Sequence, residues 1–432
     1  GLLVFEPVAA KLIPSIVELA RTLPRPLSLL SVRNPMGHDF ANTAVAHLDS
    51  LLADVPRIEW QSCRQTVEAA LQSPLRLKLD GEPREHDTIE LVSAEREIET
   101  EDVVLSLGPV QPFTAGPLRI WLVCDGEQIS DARVESGYAR RDIEGAMRAA
   151  SWGELPAIAA QLDPLAPACG RLACVRALES LAGAQPGRDV ERWREAALAI
   201  ERATSHCFWL TRFARLLGVA PLADRALGLA SSIEATDLWR PPASWIAEHH
   251  VPADVLTQSA REATVFLRSG ADRLGALQRR VERDRLLDLR IRGIGILDAQ
   301  RVARTEITGP VREACERRDG DVKSRMLARM SGAQRDLTRT AGLLEAAPPP
   351  ASAPSALRPP GRGRARTSVD GPRGRIDLVL ESRDGGGPAT VEWHRPSAAL
   401  LAILPELLRG QKLVDAEAIL ASLDLSMAEA DG

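Results

Sequence analysis

Apolar residues recur along this chain in two rhythms, and the change from one to the other marks its organisation. Leu2-Leu-Val-Phe and Leu27-Ser-Leu-Leu-Ser-Val are short apolar runs suited to buried strands, with an amphipathic helix between them. A second helix is predicted at about 41–54, where Ala44, Val45, Leu48, Leu51 and Leu52 share one face. Leu75-Arg-Leu-Lys-Leu alternates as a half-buried strand does. Val103-Val-Leu-Ser-Leu-Gly-Pro and Leu118-Arg-Ile-Trp-Leu-Val predict two strands joined by a Gly/Pro loop, and Asp125-Gly126 marks a turn into the next. From about 142 to 345 the spacing becomes helical. Helices over Arg171–Leu181 and Glu191–Leu217 end at Gly183 and Gly218, both placed as C-caps. A long charged helix is predicted over 257–289 and another over 321–344. Ile376–Leu380 and Thr390–Trp393 predict a hairpin, followed by a helix near 397–409.

These rhythms predict an α+β fold with four parts. Residues 1–100 form a small α/β domain that no motif assigns to a family, and residues 101–345 a mainly helical core led by a β hairpin. Residues 346–370 read as a flexible linker, because Ala346-Ala-Pro-Pro-Pro and the Pro/Gly/Arg-rich stretch after it bury too little apolar surface to offset ordering. Residues 371–432 add a β hairpin and helix. No internal repeat is apparent.

Composition narrows the function classes. With 432 residues, 45% hydrophobic and 26% charged, the chain is globular, and its net charge of -5 gives no bulk electrostatic case for nucleic acid. The Arg358–Arg375 cluster reads first as a solvated linker, with contact to anionic lipid or an acidic partner as the alternative. Six cysteines occur without any Cys-x-x-Cys, so a zinc or iron–sulfur site held by this chain alone is not expected, and reduced cytoplasmic thiols are. No signal peptide is visible and no apolar run is long enough to span a bilayer, so membrane contact is expected through partners. Gly293-x-Gly295 lacks the third glycine of a dinucleotide-binding turn, so no NADH site is expected.

Several short motifs follow in a fixed order: Gly108-Pro-Val-Gln-Pro, Gly137-Tyr-Ala-Arg-Arg-Asp-Ile-Glu, Glu201-Arg-Ala-Thr-Ser-His, Thr308-Gly-Pro, Gly320-Asp321, Pro372-Arg-Gly, Arg395-Pro-Ser and the stretch from Ser422 to Gly432. Together they resemble one superfamily, the 49-kDa (D-type) subunit of complex I and the large subunits of membrane-bound nickel–iron hydrogenases. The resemblance runs from about Leu107 to Gly432, and residues 371–432 would complete the large-subunit fold. Asp424, Glu429 and Asp431 match the complex I ending, Asp-x-x-x-x-Glu-x-Asp.

The departures shape the functional expectation. The hydrogenase nickel thiolates would fall at Cys169, Leu172, Ser426 and Glu429, so only one sulfur remains and nickel is not expected. The quinone-site positions of the 49-kDa type fall on Gln111, Ala115, Pro164 and Leu216. Quinone reduction needs proton donors, and the last three side chains have none. The resemblance makes Arg141 the candidate residue facing a partner's iron–sulfur cluster, and Glu144, Glu201, Arg202 and His206 a structural polar network. No cofactor is expected on this chain itself. The implied partners are an iron–sulfur small subunit and membrane-embedded subunits, with quinone doubtful, on the cytoplasmic side of a bacterial inner membrane. The implied function is that of a divergent large subunit of the 49-kDa type in an electron-transfer complex, related to NADH:quinone oxidoreductase. Its alternatives are a structural or assembly subunit, or a remodelled oxidoreductase using another redox carrier.

Overall fold

The computed structural model describes residues 2–5, 16–17, 29–32, 57–60, 103–235, 253–346, 361–383 and 387–432. The helix expected at 41–54 and the strand at 75–79 lie outside these. In the N-terminal part, β1 (Leu2–Phe5), β2 (Leu29–Val32) and β3 (Arg57–Trp60) form a parallel sheet in sequence order. Parallel neighbours need a crossover between them, as an α/β unit supplies. Strand β3 is an addition to the expected pattern, since Arg57-Ile-Glu-Trp is too short and too polar to stand out.

The second sheet is antiparallel. Strands β4 (Val103–Leu107), β5 (Arg119–Asp125) and β6 (Gln128–Glu135) pair in order, with Gly126 at φ 58° making the expected turn. Buried Ile120, Leu122 and Ile129 join the main core. After α1 (Ile143–Ala149) and α2 (Leu155–Ala159), helix α3 runs Pro167–Ala182 and stops at left-handed Gly183. Proline at its first position starts it earlier than apolar spacing alone suggests.

The helical core gathers α4 (Arg188–Leu216), α5 (Ala220–Ala235), α6 (Ala253–Glu282) and α10 (Val322–Ala346). Helix α10 packs against both α4 and α6, and α5 lies on α4. Their apolar faces meet through Trp209, Phe213, Leu267, Leu274, Met326, Met330 and Leu337. The helix expected over 257–289 is in fact two, because α7 (Arg285–Ile291) is a separate element. Asp284 breaks the run, its carboxylate accepting the Leu286 and Leu287 amides at 3.0 and 3.2 Å as an N-cap. Short helices α8 (Ala299–Val302) and α9 (Gly309–Arg317) lead into α10.

The third sheet corrects the expected linker. Gly363–Asp370 is strand β7, paired with β8 (Arg375–Ser382), which pairs in turn with β9 (Pro388–His394). Alternation survives beneath the arginines, with Ala365 and Val369 buried on the face that meets α3. The arginines here lie in ion pairs, Arg366 and Arg375 with Asp377 and Arg364 with Glu392, and Arg373 is buried. Strand β7 thus replaces the expected linker from Gly363 on, while Arg364, Arg366 and Arg375 stay solvent-exposed and Arg373 alone is buried. Helix α11 (Pro396–Leu408), a 3-10 turn at Leu413–Asp415, α12 (Ala416–Ser422) and α13 (Met427–Asp431) carry the chain back into the core.

Candidate functional site

Residues 422–432 enter the interior between the loop after β4, the start of α3, the β7–β8 turn and helix α10. Asp424 sits at φ 55°, a left-handed conformation that its short polar side chain tolerates, and the chain turns there into α13. Ala115 donates its amide to the Leu425 carbonyl and accepts from the Met427 amide, both at 2.8 Å, so the loop and the tail are laced together.

Arginines and carboxylates line this seam. Arg373 sits in the turn Gly371–Gly374, where the Gly371 amide reaches the Gly374 carbonyl at 2.8 Å. Its guanidinium pairs with Asp163 and donates to the Asp424 carbonyl at 2.8 Å. Asp163 also accepts from the Ser426 hydroxyl at 2.9 Å. On α10, Arg329 donates to the Leu423 carbonyl at 2.9 Å and lies over the Trp209 ring at 4.6 Å. One turn earlier, Arg325 reaches Ser422 at 2.9 Å and the carbonyls of Gly295 and Gly320 at 2.8 and 2.7 Å. Arg212 donates to Asp424 at 3.2 Å. Arg325, Arg329, Arg373, Asp163 and Asp424 are all buried.

The burial of so many charges moves their protonation equilibria. Burial lowers Arg325 and Arg329 to about 10, with Arg329 adding repulsion at Arg325 and Arg373 adding it at Arg329. Burial works against Arg373 as well, but Asp163, Asp424 and Glu429 outweigh it and hold its pKa above the ordinary arginine value. Glu429 is raised by burial and by Asp163, and accepts from the Ser397 hydroxyl.

A second cluster lies beside the first. Glu201 on α4 accepts the Ala168 and Cys169 amides at 2.6 and 3.0 Å, capping α3 from a neighbouring helix. Burial raises Glu201 to about 7, and burial with the Glu201 charge pushes the Cys169 thiol well above its usual value. Arg202 pairs with Asp336 through two bonds of 3.0 and 2.6 Å and reaches the Asp370 carbonyl. His206 is buried with Nδ1 unpartnered, and burial, then Arg329 and Arg202, lower its pKa well below normal. Glu144 stands apart from these residues, accepting the Trp393 amide at 3.2 Å. The expected four-residue network is therefore three separate arrangements on α4 plus one on α1.

The donor set does not fit nickel. Cys169 is a protonated thiol and Leu172 a buried hydrocarbon. The Ser426 hydroxyl is spent on Asp163 and on the Glu429 amide, while the Glu429 carboxyl is bound by Ser397. A soft divalent metal needs several thiolates, and a guanidinium paired to Asp163 lies beside Ser426. Among the described residues no group of three or more His, Cys, Asp or Glu side chains could hold a metal ion.

The quinone-site positions are scattered in role. Gln111 turns its amide inward on its own loop, donating to the Thr114 hydroxyl and accepting the Phe113 and Thr114 amides at 2.5 and 3.2 Å. Ala115 is laced to the tail, Pro164 is exposed, and Leu216 packs against the core near the end of α4. Arg141 is a clamp for the tail. Its guanidinium donates to Leu162 and Ala428 carbonyls at 2.9 and 3.2 Å, and its amide to the Gly432 carbonyl at 2.9 Å. Sequence reasoning missed Arg325, Arg329 and Arg373 as site residues. The i, i+4 spacing of Arg325 and Arg329 is the signal available for those two, and the Pro372-Arg-Gly motif for Arg373.

Comparison with known proteins adds to this geometry. Residues 354–432 match the family model of the respiratory-chain NADH dehydrogenase 49 Kd subunit. Over 391 residues the chain is 24% identical to a D-type NADH-quinone oxidoreductase subunit of Roseiflexus castenholzii, covering 77% of this chain and 93% of that protein. It is 23% identical over 385 residues to the D-type NADH-quinone oxidoreductase subunit of Bacillus cytotoxicus, covering 78% of this chain and all of that one. These matches support the likeness to the superfamily of 49-kDa subunits and nickel–iron large subunits. A solved chain from the membrane-bound sulfane sulfur reductase, an archaeal respiratory membrane complex, shares this fold with a TM-score of 0.70 at 21% identity, over 78% of this chain and 100% of that one. At the tail positions this chain carries arginine–carboxylate pairs and a serine-capped helix.

Proposed function

We propose that this chain is a divergent large subunit of a complex I-related, membrane-associated electron-transfer complex. It pairs with an iron–sulfur small subunit and membrane-embedded subunits on the cytoplasmic face, and it has given up nickel chemistry and the usual quinone chemistry of its own. The observation that carries this reading is the seam around Arg373, where the superfamily's reactive interior is filled by buried arginine–carboxylate pairs. The relatives, as subunits of NADH-quinone oxidoreductases, support the complex I-related part of it. The absence, among the described residues, of any helix long and apolar enough to cross a membrane fits a peripheral subunit.

The test is purification of the intact complex through a tag on this chain, with elemental analysis and quinone-reductase assay. We expect an iron–sulfur small subunit to co-purify, no stoichiometric nickel, and little quinone turnover, which a Gln111→Ala change leaves unaltered. Recovery of the chain with no such subunit, or of about one nickel per chain, overturns the reading. Robust activity abolished by Gln111→Ala would assign a working quinone site to the loop.

A further inference from the structure

The corner between α6 and α7 carries charge and apolar surface that the seam does not use. Arg279, Arg280 and Arg283 line an open groove of about 560 Å³ together with Ala276 and Asp284. Arg279 and Arg280 stand in the last turn of α6 and Arg283 just past its end, one turn on. The acidic residues nearby are engaged elsewhere. Glu282 pairs with Arg318, Asp288 pairs with Lys323 and Arg292, and Asp284 caps α7. Among the described residues no carboxylate lies within ion-pair distance of Arg279, Arg280, Arg283 or Arg285.

Immediately beyond the groove, α7 buries Leu287 and Ile291 and turns Leu286 and Leu289 outward, 74% and 85% exposed. A single exposed leucine is ordinary. Two on one face of a short helix, next to four arginines without carboxylate partners, form a patch with a definite chemistry. The helix is also held firmly, since Arg290 donates to the Leu217 carbonyl and Lys323 pairs with Asp288.

We propose that this α6–α7 corner docks on an anionic lipid surface, its arginines meeting headgroup phosphates while Leu286 and Leu289 enter the acyl boundary. Basic side chains flanking protruding aliphatic ones are the pattern of interfacial membrane contact. Two leucines and a shallow groove fall well short of the roughly 1,200–2,000 Å² that a stable protein interface buries. An open basic groove needs only a layer of phosphates to satisfy it, which charge complementarity alone supplies. The inference specifies where the peripheral attachment proposed above is made, and it rests on that reading for its biological setting.

The test uses the full chain in the complex in which it purifies, mixed with vesicles of phosphatidylcholine alone or with added phosphatidylglycerol. We expect flotation only with the anionic vesicles, declining as salt is raised. Replacing Arg279, Arg280 and Arg283 by Gln together should weaken binding about a hundredfold, at roughly fivefold per charge. Leu286→Ser with Leu289→Ser should weaken it roughly tenfold or more. Both sets change exposed side chains, and unchanged thermal unfolding confirms that the fold is kept. Absent vesicle binding, equal binding to neutral vesicles, or full binding by either variant overturns the proposal. Loss of a co-purifying acidic subunit in the arginine variant, with vesicle binding intact, would assign the corner to that subunit instead. Failure here with the iron–sulfur partner still present leaves the proposed function standing, and loss of that partner with vesicle binding intact does the reverse.

Discussion

At the scale of single residues, the interior is decided by which charges have partners. Asp163→Asn would leave Arg373 buried and charged with its closest counter-ion gone, and breaking a buried pair from one side costs about 3–5 kcal/mol. Denaturant unfolding should show that loss at neutral pH. Glu201 and His206 set opposing pH dependences. Folded Glu201 takes up its proton at about 7 against a usual 4.5. Between those values the folded chain holds more protons than the unfolded one, so the Glu201 contribution to stability falls as pH rises, by about 3 kcal/mol in all. His206 is held below its usual 6.5, so its contribution falls as pH drops through that range. The two slopes partly cancel in the native protein. The stability difference between it and Glu201→Gln should therefore shrink from pH 4.5 to 7, and with His206→Gln as background the fall should be uncovered directly. A flat difference in urea titrations across that range would show that Glu201 stays ionised on the α3 amides. Sequence reasoning reached Cys169, Ser426 and Glu429, and the structure does place all three in the interior. It passed over Arg329 and Arg373, because an arginine reads as surface in so arginine-rich a chain and only burial tells them apart.

At the scale of elements, most helices were legible because one apolar face repeats at helical spacing, and Gly183 and Gly218 ended two of them as expected. The division between α6 and α7 was not, since apolar spacing runs on through it and the break rests on one side chain. Asp284→Ala should cost about 1 kcal/mol and raise amide exchange in α7 ahead of α6. Strand β7 was hidden by composition, as proline and arginine dominate the surrounding stretch while only Ala365 and Val369 face inward. Gly170 shows how a motif misleads. Beside Cys169 it resembles part of a metal-binding sequence, yet a Cβ there would lie 2.2 Å from the Ala159 carbonyl oxygen. Gly170→Ala should thus destabilise by about 1–3 kcal/mol through overpacking of α2 on α3, despite alanine's better helix propensity. A rise in melting temperature would show that α2 yields easily.

At the scale of the whole molecule, one short segment joins elements that are far apart in sequence. The tail is bonded to the β4–β5 loop, α4, α10, the β7–β8 turn and Arg141. Removing residues 424–432 should abolish a single cooperative unfolding transition, because Arg329 and Arg373 would together lose the Asp424 carboxylate, and Arg373 the Asp424 carbonyl, leaving them the Leu423 carbonyl and Asp163. Spectroscopic and calorimetric midpoints that still coincide would contradict this. The superfamily likeness was readable from motif order, while the ion pairs were not, because each joins residues up to hundreds of positions apart. That separation also sets an order of events during synthesis. Asp424 leaves the ribosome after Arg212, Arg329 and Arg373, the arginines it faces. Until then a nascent chain holds Arg373 against Asp163 alone and, among the described residues, Arg329 against no carboxylate. The core therefore waits, open and hydrated, for this late-made contact, and released chains ending before Asp424 should remain protease-sensitive where those carried past it become resistant.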